Sequence, residues 1–293
     1  MKIIERSYID IGSWNHLVTT TENASVFSYS WYLDATAENW CALVNDDYTK
    51  GIALPYSVRL GVKTLYTPIF VRYIEWLGSE IDTSIINNAI KNHFSNIEVS
   101  IKQPLLGDRF KSFIYQTIPS NIGREFGSQV KRSLKKAINN DLEVEKSKDY
   151  SGVESIIVSE LVGKYNGIDE VSIKALSKLF EAAKVEQRIS VYEIKGHGGI
   201  VCITDEGTNL YLKGTVSSAC KLAGGMYACL DYAINETIID DKTFDFGGSR
   251  IDGVKHFNHN LGGKDVTYFG YTFDNGPVWF KLARIINNKW SKK

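Results

Sequence analysis

The residues able to do chemistry collect between Val191 and Gly263. Gly224 and Gly225 stand just before a run in which Met226, Cys229, Leu230, Ala233, Ile234 and Ile238 recur at three- and four-residue intervals, the pattern of one apolar helical face. Without a β-carbon, the glycines let a ligand approach the backbone closely, and the first N–H groups of the helix point at it. Such a helix start favours phosphate or pyrophosphate, with Lys221 as a nearby positive charge, although a glycine pair before a helix is also what a plain turn requires. Downstream, Thr243-Phe-Asp-Phe-Gly-Gly-Ser249 reads as a buried strand that breaks at a glycine pair. Asp245 within it either orients or deprotonates an amine, or caps the loop amides. Val254-Lys-His-Phe-Asn-His-Asn-Leu-Gly-Gly263 follows, bringing Lys255, Phe257 and Asn258 into one short segment.

Covalent catalysis has no visible apparatus. No Ser-His-Asp or Cys-His arrangement is spaced for it, and Cys41, Cys202, Cys220 and Cys229 lie scattered in apolar surroundings, as buried small hydrophobes do. His256-x-x-His259 could set two imidazoles on one helical face, but no cysteine or carboxylate partner stands near in sequence, so no metal is expected. His197 has the right type for a base, yet it occupies a glycine-rich hairpin tip, where an exposed turn is the simpler account.

The elements that must position these residues follow a repeated order. In the first half, residues 2–6 read as a strand, 9–18 and 27–37 as helices, and 40–44, 51–58 and 62–66 as a strand meander. A helix at 83–93 and strands at 97–101 and 112–118 complete it. In the second half a strand at 142–144, helices at 153–162 and 171–183, and strands at 191–194, 199–204 and 210–212 precede the Met226 helix, with Phe244, Asp245 and Phe246 as the next strand. A closing helix is expected over 277–286, with Trp279, Leu282 and Ile286 on its apolar side. Corresponding elements recur about 140 to 150 residues apart, as a duplicated domain would place them. The expected division is 1–120 for the first domain, 121–141 for a connecting basic helix, and 142–293 for the second, which holds the donor site. In that helix Lys131 and Lys135, and Arg132 and Lys136, stand four apart beside a stripe of Val130, Leu134, Ala137 and Ile138.

The 293 residues carry 34 basic and 34 acidic side chains, a balance that argues against a globally basic nucleic-acid binder, so no DNA partner is expected. No apolar run is long enough to span a bilayer, and residues 1–6 lack a signal-peptide core, so a cytoplasmic protein is expected.

The element order, with Phe244-Asp-Phe-Gly-Gly-Ser249 and Phe257-Asn-His-Asn-Leu-Gly262 in the second half, resembles the FemAB-like acyltransferases. In the first half Tyr29-Ser-Trp-Tyr-Leu-Asp-Ala35, Trp40, Leu54-Pro55, Pro68-x-Phe70 and Leu77-Gly78 are similar to bacterial members of uncharacterised substrate. The resemblance implies an α+β fold of two tandem GNAT-like domains with mixed central sheets, no permanently bound cofactor, and an acyl-CoA or similar donor as co-substrate. It places the pantetheine-like arm along residues 209–213, with Tyr211 and Lys213, and the phosphates at Lys221, Gly224 and Gly225. It assigns Asp245, Lys255, Phe257 and Asn258 to the acceptor side and its chemistry. Tyr29, Trp31, Tyr32 and Arg72 are candidates for an acceptor pocket or for core, and Arg132 is either a solvated charge or a lure for a phosphorylated substrate. Departures are plain: Met226 replaces the last small residue of the usual pyrophosphate loop, Asn258 follows Phe257 where bridge-forming transferases carry lysine, and Arg72-Tyr73 replaces a common pair of glutamines. Three functions follow as expectations: N-acyl transfer to an amine of a small or nucleotide-linked sugar or cell-envelope precursor, aminoacyl transfer from tRNA, or a GNAT-shaped scaffold without catalysis.

Overall fold

The computed structural model describes residues 1–79, 82–104, 110–121, 123–164, 170–248 and 251–281. The chain forms two compact units, one of residues 1–113 with 268–293, the other of residues 114–267.

In the first unit, β1 (Lys2–Glu5) is followed by α1 (Ile11–Thr20) and α2 (Ser30–Thr36), then by β2 (Asn39–Val44), β3 (Gly51–Arg59) and β4 (Val62–Tyr66), with a short β5 (Trp76–Leu77) against β3. β1 to β4 form an antiparallel meander. α3 (Thr83–His93) then crosses over so that β6 (Asn96–Ile101) lies parallel to β4. Asp82 starts α3 by accepting the N–H groups of Ser84 and Ile85, and Ile86 and Ile90 bury one side of it. The core beneath joins these to Leu54, Leu65, Phe94 and Ile97. Across the sheet Trp14 is fully buried and donates its indole N–H to Ser28 O at 2.9 Å.

The second unit contains the later residues of β7 (Phe110–Ile118), then α4 (Ser128–Asn139), β8 (Glu145–Ser147), α5 (Ser151–Lys164) and α6 (Glu170–Val185). β9 (Ile189–Ile194), β10 (Gly198–Thr204) and β11 (Thr208–Val216) continue an antiparallel meander from β8. α7 (Ser218–Leu222) and α8 (Gly225–Ile239) cross over to β12 (Thr243–Asp245), parallel to β11. α9 (Asp252–Asn260) and β13 (Lys264–Asp274) follow. Each unit thus repeats one plan: two helices, an antiparallel meander, a helical crossover and a parallel strand.

The last strand of each sheet comes from the other half of the sequence. β6 pairs antiparallel with β13 over Phe269 to Asp274, and β12 pairs with β7 through Phe244↔Ile118 and Asp245↔Thr117. The units are therefore composed otherwise than divisions at 120 and 142 would have them, and α4 packs within the second unit rather than standing apart. Pairing of a final strand is a non-local choice that hydrophobic period does not record. One further element differs, and the closing helix is present at residues 278–281. The strand expected at 142–144 lies at Glu145–Ser147, because Leu142 and Val144 pack against the core while the ladder to β9 begins at Glu145. At the tail, Phe280 N–H bonds Pro277 O at 3.0 Å, whereas Leu282, Ile286 and the motif residue Ser249 lie outside the described residues. No helix among the described residues is long and apolar enough to cross a membrane.

The β10–β11 turn carries a pH dependence. Asp205 is 6% exposed and accepts the N–H groups of Gly207 at 3.0 Å and Thr208 at 2.7 Å. Burial outweighs these bonds and raises its carboxyl to about 6. A folded-state value above the ordinary range of about 4 means that stability from this residue is full below that range and lost as the pH climbs through the folded value. Asp205→Asn keeps an accepting oxygen and should remove the loss. Between about pH 4 and 7 the wild type is expected to lose roughly 2 kcal/mol more than the variant in urea unfolding. A wild-type-to-variant difference that stays constant with pH would contradict the burial argument.

Candidate functional site

The site begins where two parallel strands part. β11 pairs with β12 only through Thr208↔Thr243, Asn209↔Phe244 and Leu210↔Asp245, and β12 ends there. β11 runs on to Val216, still paired with β10 on its other side. Between Val201↔Lys213 and Cys202↔Tyr211, Leu212 is an extra residue. A bulge of this kind bends its strand and increases the local twist, which carries β11 away from β12. Beyond Leu210 the two strands are no longer paired, which opens a wedge between them, and at its start the chain after β12 is still close enough that a β-carbon on Gly247 would overlap Tyr211 O.

The corresponding place in the first unit is filled. β4 and β6 pair through Thr64↔Asn96, Leu65↔Ile97 and Tyr66↔Glu98, after which the chain at 67–75 covers the edge of β6. Thr67 Oγ1 accepts Ser100 N–H at 2.7 Å, Ile74 N–H donates to Ser100 O at 2.9 Å, and Lys102 N–H donates to Ile74 O at 2.9 Å. Glu75, 2% exposed, pins this segment by accepting from Ser25 N at 2.6 Å and Ser28 Oγ at 3.0 Å and pairing with Lys102 Nζ at 2.7 Å. Nothing in the hydrophobic pattern distinguishes the two wedges, since both sequences read as strand, helix, strand.

The expected donor residues take different places in the second unit. The Tyr211 ring packs into the core beside Cys202 and Cys229, where burial pushes its phenol up, so it offers the wedge its backbone rather than its hydroxyl. Lys213 lies on the parted stretch of β11, and Lys221 is exposed on α7. Gly224 adopts φ +96° as the residue before α8. A β-carbon on it would overlap the Ser133 carbonyl of α4, and one on Gly225 would overlap Cys220 Sγ. The glycine pair thus lets α8 seat tightly on α4 and α7, a packing requirement that sequence reasoning assigned to a ligand. The helix start it creates still presents the positive end of a helix dipole.

The residues expected on the acceptor side divide between two faces of the sheet. Phe244 and Phe246 both enter the core formed with α8, Phe257 and Leu261, so Asp245 between them points to the opposite face. Its Oδ1 accepts Gly247 N–H at 2.9 Å, the loop-capping arrangement. Phe257 packs on Tyr227 with ring centres 5.0 Å apart. Asn258 is 3% exposed and donates from Nδ2 to Gln116 Oε1 at 3.0 Å. Gln116, fully buried, donates in turn to Asp265 Oδ1 at 2.8 Å, and that oxygen also meets His259 Nε2 at 2.7 Å. Lys255 is half-buried one turn before His259 and acts electrostatically on Asp265. Sequence reasoning missed Gln116, His259 and Asp265 as a group. Asp265 stands only six residues after His259, but Gln116 is 149 residues from Asp265 and had no local signal.

In the first unit Tyr29, Trp31, Tyr32 and Arg72 lie among aromatic neighbours. Tyr32 is fully buried and donates its hydroxyl to Phe70 O at 2.6 Å, Tyr29 stacks on Trp31 at 6.2 Å, and the Arg72 guanidinium lies 5.5 Å from the Phe27 ring and 5.6 Å from Tyr73. Tyr32 and Arg72 are core residues, while Trp31 is half-buried. Arg132 belongs to the second unit, exposed on α4 with Lys131, Lys135 and Lys136, and none of the four enters an ion pair among the described residues.

No family model matches the sequence, and no curated protein matches it. Solved structures do match over nearly the whole chain. FemX superposes with a TM-score of 0.64 at 12% identity, covering 96% of this chain and 100% of FemX. The chain has the FemX fold. L-PGS from Bacillus licheniformis follows at a TM-score of 0.57 and 9% identity, covering 95% of this chain and 96% of its own. An acetyltransferase of the GNAT family from Colwellia psychrerythraea gives 0.51 at 10% identity over 94% of this chain and 100% of its own. A FemX fold with GNAT likeness agrees with the α+β units and their mixed sheets.

Proposed function

We propose that this chain is an acyltransferase that lays an activated acyl donor, a thioester of the coenzyme A type, along the parted edge of β11 and passes the acyl group to an amine. The observation that carries the reading is the wedge itself: β11 outruns β12 from Tyr211 onward, with a bulge at Leu212, while the first unit fills its own wedge with residues 67–75. A strand edge without a partner strand offers backbone N–H groups to a developing oxyanion, and the helix start at α8 offers its dipole to the donor's phosphates. The GNAT acetyltransferase likeness agrees with this chemistry. No covalent intermediate is invoked, because burial raises the thiols of Cys41 and Cys229 to about 12 and pushes Cys202 up as well. On this reading the acceptor is an amine on a small or nucleotide-linked sugar or cell-envelope precursor, and the protein works in the cytoplasm.

One observation favours a second reading, an aminoacyl donor carried on tRNA: Lys131, Arg132, Lys135 and Lys136 form a cationic flank on α4 with no ion pair among the described residues. Binding there would fall steeply with salt as counterions are released. The two readings separate in one experiment. Acyl-CoAs of increasing chain length are mixed with amine acceptors and protein, thiol release is followed, and retention of bulk tRNA is measured across a salt series. Acceptor-dependent thiol release supports the first reading. Salt-sensitive tRNA retention that is lost when the four cations are changed to glutamate supports the second, and neither signal would leave a binding scaffold.

A further inference from the structure

The hydrogen-bonded group at the start of β13 has no evident structural need for its histidine. Gln116 O accepts Phe246 N–H at 3.1 Å, one residue beyond the end of β12, so the group is anchored at the mouth of the wedge. The α9–β13 turn is clamped on the same place: a β-carbon on Gly263 would fall 2.9 Å from both Asn258 O and Gln116 Cβ and 3.1 Å from the Phe246 ring. From this anchor Asn258, Gln116 and Asp265 form a chain that ends on His259 Nε2. Asn258 and Gln116 are buried, whereas the Asp265 and His259 side chains are 44% and 38% exposed and can reach solvent or substrate.

We infer that His259, oriented by Asp265, takes the proton from the acceptor amine, and that Asn258 and Gln116 are positioning residues for that pair. The inference rests on acyl transfer to an amine being the reaction. With Nε2–H donated to the carboxylate, Nδ1 carries the lone pair. Amines are mostly ammonium ions near neutral pH and cannot attack until a proton leaves. The ammonium gives one proton to Nδ1 and its freed lone pair forms the C–N bond. The C–S bond breaks, and the second proton lost by nitrogen ends on the departing thiol. An imidazolium beside Asp265 is stabilised by the negative charge, as in other acid–base pairs of this type. Asp265 remains ionised for this role, because the Gln116 hydrogen bond and then His259 and Lys255 hold its carboxyl below the ordinary range. The titratable groups near His259 are Asp265 in contact and, one turn earlier on α9, Lys255, which acts on Asp265, and His256.

The test is a pH profile of kcat/KM for whichever donor and amine the wild type turns over. His259→Gln is expected to lower kcat/KM about 100-fold and to abolish the acidic limb, with Tm unchanged because the side chain is half exposed. Asp265→Asn should lower it about tenfold, through kcat rather than through KM for the donor. Asn258→Ala should lower kcat/KM, while the double variant His259→Gln, Asn258→Ala loses no more than His259→Gln alone, a non-additivity that loss of folded protein does not produce. Transfer that persists in His259→Gln with the wild-type rate and profile would overturn the inference and leave acyl transfer standing. No transfer by the wild type with any donor and amine would remove both.

Discussion

Gly224→Ala is expected to destabilise the second unit by about 3 kcal/mol, combining a left-handed backbone unfavourable to alanine with an overpacked helix contact. The backbone is at φ +96°, and the added methyl would overlap the Ser133 carbonyl, an atom fixed in the hydrogen-bonded frame of α4. A flexible side chain could move aside, but a helical carbonyl moves only with its helix. Gly61→Ala is the control, since Gly61 also has φ +77° but nothing lies within 4 Å of its missing methyl. That change should cost only about 1 kcal/mol, the backbone part alone. The readouts separate as well. No tryptophan occurs between residues 114 and 267, so tryptophan fluorescence follows the first unit, and far-UV circular dichroism or amide exchange is needed for the second. Equal costs at Gly224 and Gly61 would mean that the α4–α8 contact is looser than drawn. For the same reason a ligand-blocking substitution at Gly224 is a poor probe of donor binding: it disturbs the packing first.

Deletion of Leu212 is expected to abolish acyl transfer, by at least about 100-fold, while leaving the fold intact. Deleting a strand residue ordinarily reverses the facing of every residue after it. Here the deletion does not, because Cys202 already pairs with Tyr211 and Val201 with Lys213, so removing the residue between them restores a regular ladder. Straightened, β11 would lie alongside the chain after β12, closing the wedge and removing the bent edge that is to hold the acyl carbonyl. Loss of two or three backbone donors at an oxyanion accounts for a change of this size. Thiol release and circular dichroism on the same preparation decide the matter. A deletion variant that folds and retains full activity would show that the wedge is not where the acyl group sits.

What the sequence showed and hid can be read from these two places. The helix after Gly225, the meander over β9 to β11 and the strand at Phe244 follow from local period, and the duplicated plan follows from their order. The glycines were visible, but their reason was not: Ser133 lies about ninety residues away from Gly224, and no local pattern shows that its carbonyl needs the space. The bulge at Leu212 was invisible because an extra residue appears only against its partner strand. The exchange of final strands, and the network that joins Gln116 to Asp265, depend likewise on pairings across more than a hundred residues. Tyr211 shows the limit from the other side: its place on the parted strand was legible, yet strand alternation sends its ring into the core.

If an acyl thioester lies on the parted edge of β11 in the second unit, a backbone amide NMR titration with a thioether analogue of acyl-CoA, which binds without reacting, will show it. Saturable shifts are expected at Tyr211, Leu212, Lys213 and Gly247, with smaller ones at Gly225 and Met226, and none at Thr67, Ile74 or Ser100 in the first unit's filled wedge. Saturable binding that leaves the Tyr211 to Lys213 amides unmoved, or that moves Thr67 to Ser100 instead, would contradict that placement.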